Sequence, residues 1–206
     1  MLRYSVAAAT TACVALIAGV WYTSLGPVSA DRFASCRTSS IAGGTSQIGG
    51  LFTLMASNGQ TVTSAEVFTK PSLIYFGYTF CPDICPLDAL RNVDAVDVLE
   101  SRGHLVTPVF ISIDPRRDTP QVVREFAENM HERMIGLTGT PEQVKAASKT
   151  YKTYFKAHAA EDDYYLVDHS TFSYLVLPEH GFVEFFRRDL PAEAVADRIS
   201  CFVDNA

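Results

Sequence analysis

The sequence predicts an α/β fold: a mixed central sheet flanked by helices, with an N-terminal β-hairpin extension and a single N-terminal transmembrane helix. Three observations carry this. Apolar strand-like runs alternate with stretches of helical periodicity, and a hairpin and a last helix follow. A buried-strand run, Leu73-Ile74-Tyr75-Phe76, passes into Cys81-Pro82-Asp83-Ile84-Cys85-Pro86 and then into a helix. Residues 4–25 are apolar or small and carry no charge, about the ~20 residues a bilayer core requires.

From the N-terminus, Arg3 precedes the apolar run, which predicts the N-terminus inside and the rest of the chain outside. Trp21 and Tyr22 fall where an interfacial aromatic belt would lie. Residues 1–30 therefore read as a membrane anchor. The rival reading is a cleaved signal peptide ending at Val28-Ser29-Ala30; the apolar run is long for one, which favours the anchor. Residues 31–47, rich in Ser, Gly, Thr and Ala, read as a flexible tether, and residues 48–206 as the folded domain. No Arg-rich, amphipathic leader is present, so the expected location is a bacterial inner (cytoplasmic) membrane, single-pass, with the C-terminal domain in the periplasm.

In the domain, Phe52 and Leu54 alternate with polar neighbours, Asn58-Gly59 is a hairpin turn and Val62 resumes the pattern. Leu73–Phe76 is a core strand bounded by Pro71 and Gly77. Pro86 suits a first helical turn, and Ala89, Leu90, Val93 and Val96 continue that helix. Val106–Ile113 is a second buried strand. Thr119-Pro120 starts a helix with Val123, Phe126 and Met130 on its apolar face. Met134–Leu137 is a short strand. Thr140-Pro141-Glu142-Gln143 is a capping box leading to Val144, Ala147 and Tyr151. Residues 152–168 read as a polar, tyrosine-rich loop with Glu161-Asp162-Asp163 at its tip. Phe172, Tyr174 and Val176 then face Phe182, Val183 and Phe185 across the turn Pro178-Glu179-His180-Gly181. Val195, Ile199 and Phe202 mark the last helix. A strand, a cysteine pair at a helix N-terminus, then β-α and a β-hairpin-α is the order of a thioredoxin-like fold.

The net charge of −6 and the absence of a basic stripe argue against a nucleic-acid partner. Hydrophobic residues make up 48% of the chain, enough for a core without disulfide staples, so the five cysteines need another account. Cys81 and Cys85 lie at a helix N-terminus, where the dipole favours thiolate in both. Thiolates attack disulfides or bind metal. Dithiol oxidoreductases of this fold usually use Cys-X-X-Cys; here three residues intervene, and the larger bite suits two thiolates converging on one ion. A soft ion such as Cu(I) adds an imidazole, and the candidate is His169, at the mouth of the strand from Phe172 to Leu177.

The runs Phe76–Pro86, Ser112–Pro120 and Asp168-His169-Ser170 resemble those of the Sco/SenC family, membrane-tethered, thioredoxin-fold copper proteins of cytochrome c oxidase assembly. The resemblance covers about residues 48–203. It implies that Cys81, Cys85 and His169 bind one copper ion. It further implies that copper passes to the binuclear copper A site of oxidase subunit II, the main partner, with other copper carriers as further partners. Alternatively the chain is a thiol–disulfide oxidoreductase, with Cys81 and Cys85 as its reactive pair, that reduces the cysteines of that site, or a redox or copper sensor. A peroxidase reading lacks its expected Thr-flanked cysteine.

Other residues have two readings each. Asp114 and Asp118 orient the site or only form turns. Asp168 holds the His169 tautomer or points away. Asp83 contacts a partner or only starts the helix. His104, His131, His158 and His180 read as solvated, and Tyr164-Tyr165 as strand packing. Cys36 and Cys201 form a disulfide pinning the tether to the domain, or are unrelated thiols; Cys13 belongs to the apolar N-terminal segment.

Overall fold

A computed structural model describes residue 19, residues 31–38, residues 44–159 and residues 164–206. The expected anchor, apart from Gly19, lies outside the described residues, as do residues 39–43 of the expected tether and the expected loop tip. Among the described residues no helix is long and apolar enough to cross a membrane. The chain divides into two compact units, residues 1–34 and 35–206. In the first, Asp31 accepts from the Phe33 amide at 3.0 Å within a short turn.

The second unit is a mixed sheet with helices packed against it. Its strands are β1 (Thr53–Ala56), β2 (Thr61–Thr63), β3 (Ser72–Gly77), β4 (Thr107–Ser112), β5 (Ile135–Thr138), β8 (Ser173–Leu177) and β9 (Gly181–Phe186). They run in the order β2-β1-β5-β4-β3-β8-β9. β3, β4 and β5 are parallel; β8 and β9 extend one edge antiparallel, and the predicted β1–β2 hairpin extends the other by pairing with β5. β3 and β8 are buried at every position, which is why both read as continuous apolar runs rather than alternating ones.

The helices are α1 (Ser64–Val67), α2 (Ile84–Ser101), α3 (Pro120–Met130), α4 (Pro141–Thr150) and α5 (Ala192–Asp204). Both predicted starts hold: Thr119 accepts from the Val122 amide, and Thr140 with Gln143 closes a capping box. The short α1 was not expected, although Thr63 and Glu66 form a second capping box at its start. α2 packs on α5. The pair is clipped by Arg102 to Asp197 (2.8 Å) and Glu193 (3.2 Å).

Cys36 and Cys201 form a disulfide with Cα atoms 5.7 Å apart, joining the chain ahead of β1 to α5. Arg37 donates to the Val183 carbonyl, and its guanidinium lies 5.8 Å from the centre of the Phe202 ring. Two of the four histidines depart from expectation: the His131 side chain is only 9% exposed, pairs with Asp97 at 3.3 Å and accepts from the Arg133 amide, and the half-buried His104 lies 3.5 Å from Asp204.

Residues 152–168 are not all loop. β6 (Phe155–Ala157) and β7 (Val167–His169) form a separate antiparallel ribbon, with Phe155 opposite His169. His169 therefore ends β7 rather than opening β8.

Candidate metal centre

α2 begins at Ile84, so Cys85 is its second residue and Pro86 its third. Cys81 precedes it in a turn whose amide bonds to the Tyr78 carbonyl. The Cys85 amide, free of helical obligations at this position, donates to Cys81 Sγ at 3.3 Å. The five-residue span thus folds so that both sulfurs face one side.

β7 brings His169 to them. Nε2 lies 3.2 Å from Cys85 Sγ, and one ligand atom from each of Cys81, Cys85 and His169 lies within 4.8 Å of the others. His169 Nδ1 is 2.9 Å from the Ser170 carbonyl. A carbonyl only accepts, so Nδ1 carries the proton and Nε2 presents its lone pair to the sulfurs. Asp168 does not hold the imidazole: it points away and pairs with His158 Nε2 at 2.9 Å. The His169 ring stands edge-on to Tyr75 and Tyr78, at 6.2 and 5.8 Å. Burial holds its pKa below the ordinary value, so it is neutral and ready to ligate at pH 7.

The two thiols differ, contrary to the expectation that both favour thiolate. Burial alone would raise Cys81, but hydrogen bonds from the Asp83 and Cys85 amides outweigh it, and its pKa falls below the ordinary thiol value. Cys85 is fully buried, and desolvation pushes it far up. Iodoacetamide at pH 7–8 is accordingly expected to label Cys81 first in the reduced, metal-free protein, with Cys85 at least about tenfold slower. Peptide mass mapping against time checks this; equal rates would contradict it.

The bracing around the site explains the other two motifs. Asp118 is buried and accepts from the Thr79 amide (3.0 Å), Thr79 Oγ1 (2.6 Å) and Ser112 Oγ (2.5 Å), fixing the turn ahead of Cys81. Arg117 binds Asp114 at 2.5 Å and the Tyr165 carbonyl at 2.9 Å. Its guanidinium lies 3.6 Å from the Tyr165 ring centre and 4.8 Å from that of Phe80. Tyr165, read as strand packing, instead donates to Asp114 at 2.6 Å from a loop position, while Tyr164 is exposed. Tyr78 Oη accepts from the Val167 amide at 3.3 Å. The Cys81 turn, the Asp114–Asp118 loop and the His169 ribbon are thus bolted together through Arg117, Asp118 and Tyr78. Asp114 and Asp118 act by orienting, through backbone and aromatic contacts. Asp83 is the N-cap residue of α2, and its side chain makes no capping bond.

Gly77 ends β3 beneath the site. A Cβ there would sit 2.8 Å from Tyr75 and 3.2 Å from Cys85 Sγ, so glycine is required by close approach. A cleft of about 330 Å³ opens above, lined among others by Tyr78, Cys81, Pro82, Leu166 and His169. Two thiolates with one neutral imidazole form a soft donor set that fits a soft or borderline ion such as copper.

A family model described as SCO1/SenC matches residues 41–204. Protein SenC of Rhodobacter capsulatus is 52% identical over 199 residues, which cover 96% of this chain and 90% of that protein. Protein SCO1 homolog 1, mitochondrial, of Arabidopsis thaliana is 41% identical over 157 residues; these are 76% of this chain but only 47% of that protein. Among solved structures, Arabidopsis thaliana ScoI with copper bound is similar at TM-score 0.74 and 40% identity, covering 77% of this chain and 99% of that one. Yeast Sco1 with copper bound is similar at TM-score 0.70 and 39% identity, covering 78% and 90%.

Proposed function

The chain belongs to the SCO1/SenC family, and from that premise we propose that it is a copper chaperone. It takes one copper ion between Cys81, Cys85 and His169 and delivers it to the binuclear copper A site of cytochrome c oxidase subunit II. The observation that carries this reading is the convergence of the three ligand atoms within 4.8 Å. Cys81 is half-buried at the cleft and Cys85 lies beneath it, so an acceptor's thiolate or imidazole approaches from the Cys81 side. Residues 1–30 anchor the protein in a bacterial inner membrane and the domain works in the periplasm. A disulfide between Cys36 and Cys201 supports an oxidising compartment.

A second reading has its own support. A low-pKa Cys81 beside a buried, high-pKa Cys85 is the asymmetry of an attacking and a resolving thiol, which suits reduction of the copper A cysteines.

The deciding experiment mixes the reduced, Cu(I)-loaded protein with reduced, metal-free subunit II, separates the two and counts the copper on each; one-electron oxidation of the filled sites with ferricyanide then develops copper A absorption. Delivery predicts about two equivalents consumed per site formed, and none formed by the His169→Ala variant. A second arm mixes the reduced, metal-free protein with subunit II whose copper A cysteines are disulfide-bonded; reduction there that survives His169→Ala, with no copper transfer in the first arm, would replace delivery by the reductase reading.

A further inference from the structure

The surface around the metal centre is unlike the rest of the molecule. Among the described residues nine large hydrophobic side chains are exposed, and six of them lie within five residues of Cys81, Cys85 or His169: Phe80, Leu87, Leu90, Tyr164, Leu166 and Phe172. The three ligands converge, so the segments that carry these side chains converge with them. Single leucines scattered over a surface need no explanation; apolar side chains gathered about one cleft do.

α2 shows this most clearly. Its inner face is buried through Cys85, Ala89, Val93 and Val96. A helix of that kind ordinarily turns polar on the opposite side. Here the opposite side runs Asp83, Leu87, Leu90, Asp94 and Asp97, three or four residues apart and so on one stripe. Leu87 is 55% and Leu90 48% exposed, because the packing of α5 on α2 leaves both in solvent. At its N-terminal end the stripe meets the cleft, which Asp83 and Ile84 line together with Leu166 and His169. The leucines and the metal ligands therefore share one continuous face.

The charges on that face have one sign. Asp83, Asp94, Asp97 and Asp168 are exposed. In residues 75–99 and 164–174 the only Lys or Arg is Arg91, which is half-buried and donates inward to Ser173 Oγ at 3.0 Å. An acidic rim attracts a basic partner and steers its approach. A second copy of this chain would set like charges against like, which disfavours self-pairing.

We infer that this face, with Leu87 and Leu90 on α2 and Leu166 and Phe172 flanking β7, docks a protein whose own face has an apolar centre ringed by Lys and Arg. That this partner is the copper A domain of subunit II rests on the chaperone reading; the assignment of the surface does not. The leucines hold the complex, and the aspartates speed and orient the encounter. Docking there sets the partner's ligands over the cleft on the Cys81 side.

The full chain, Leu87→Ser/Leu90→Ser and Asp94→Lys are compared. Chelator competition gives Cu(I) affinity, and the rate of copper transfer is followed against subunit II concentration at about 50 and about 500 mM salt, which screens exposed charges to different extents. The double leucine variant is expected to keep Cu(I) affinity within about threefold while needing at least about tenfold more subunit II for half-maximal rate, the scale set by burying two half-exposed leucines. Asp94→Lys should slow transfer about threefold or more at low salt and little at high salt. A leucine variant with the wild-type concentration dependence would overturn the inference. So would wild-type transfer that does not slow as salt rises, or a wild-type dimer that the leucine changes disperse without altering transfer, which would make a second copy the occupant. If the wild type moves no copper, the chaperone reading fails, and the same half-maximal concentration is read from reduction of disulfide-bonded subunit II. If subunit II undergoes neither reaction, the inference falls too. Should the double variant not fold, Leu90→Ser alone decides by the same concentration dependence.

Discussion

Replacing His169 by alanine is expected to weaken copper binding by at least about 100-fold while leaving the domain folded. Removing a group that merely supports a ligand costs 10–100-fold, and His169 is itself one of the three converging groups. Its side chain is only partly buried at the end of β7, and the ribbon keeps its backbone pairing to Phe155, so truncation leaves the sheet intact. The loss should be larger for Cu(II) than for Cu(I), because two thiolates alone still satisfy Cu(I), whereas Cu(II) favours nitrogen and higher coordination. The neutral Nδ1–H tautomer held by Ser170 predicts partial rescue by free imidazole, which can enter the cleft that the side chain vacates. Competition against a chromophoric chelator measures both affinities. Binding within about threefold of wild type would remove His169 from the ligand set.

The cysteine pair was legible because its information is local. The apolar run ending at Gly77, the spacing of Cys81 and Cys85, and Pro86 together specify strand, turn and helix start, and β3 and α2 are found there. His169 was legible as a residue but not as an element. β6 is three residues long and largely exposed, so it carries neither an apolar run nor an alternation by which a strand could be read. The ribbon forms because Arg117, Tyr165 and Tyr78 tie it and the loop before it to loops 48 to 89 residues earlier, and such long-range bonds leave no periodic trace. The same holds for Asp168, whose place beside His169 suggested support for the imidazole. Neighbours on a strand point to opposite faces, so Asp168 reaches His158 while Ser170's carbonyl supports the ring. The thiol asymmetry was hidden for a different reason. The helix dipole acts on both cysteines, but burial acts on Cys85 far more, and burial depends on the packed sheet rather than on helix position.

Breaking the disulfide is expected to produce the largest loss of stability of any change outside the core. Cys36 and Cys201 are 165 residues apart. In the chain-entropy model a loop of that length contributes up to about 5 kcal/mol by restricting the unfolded chain. For a chain of this size roughly 2–4 °C of melting temperature accompanies each kcal/mol, so Cys201→Ser should lower the midpoint by up to about 10–20 °C. Cys36→Ser should give the same fall, and the double variant no more than either single one, because one cross-link is lost in all three. Additive losses would instead mean that each sulfur contributes by packing, and that the cross-link itself contributes little. The locality of the link also makes it separable from the copper site. It ties α5 to the chain ahead of β1, whereas Cys81 and Cys85 are free thiols at the N-terminal end of α2. Copper affinity at 20 °C should therefore be unchanged within about threefold in Cys201→Ser. One chain then carries two cysteine pairs with opposite requirements: one is useful only when oxidised, the other takes a metal only when reduced. Structural disulfides resist reduction by glutathione. A mild thiol that opens a Cys81–Cys85 bond should accordingly restore copper uptake before it lowers the melting midpoint. If both changed together along a reductant series, the two pairs would not be independent, and the site would depend on the clamp at α5.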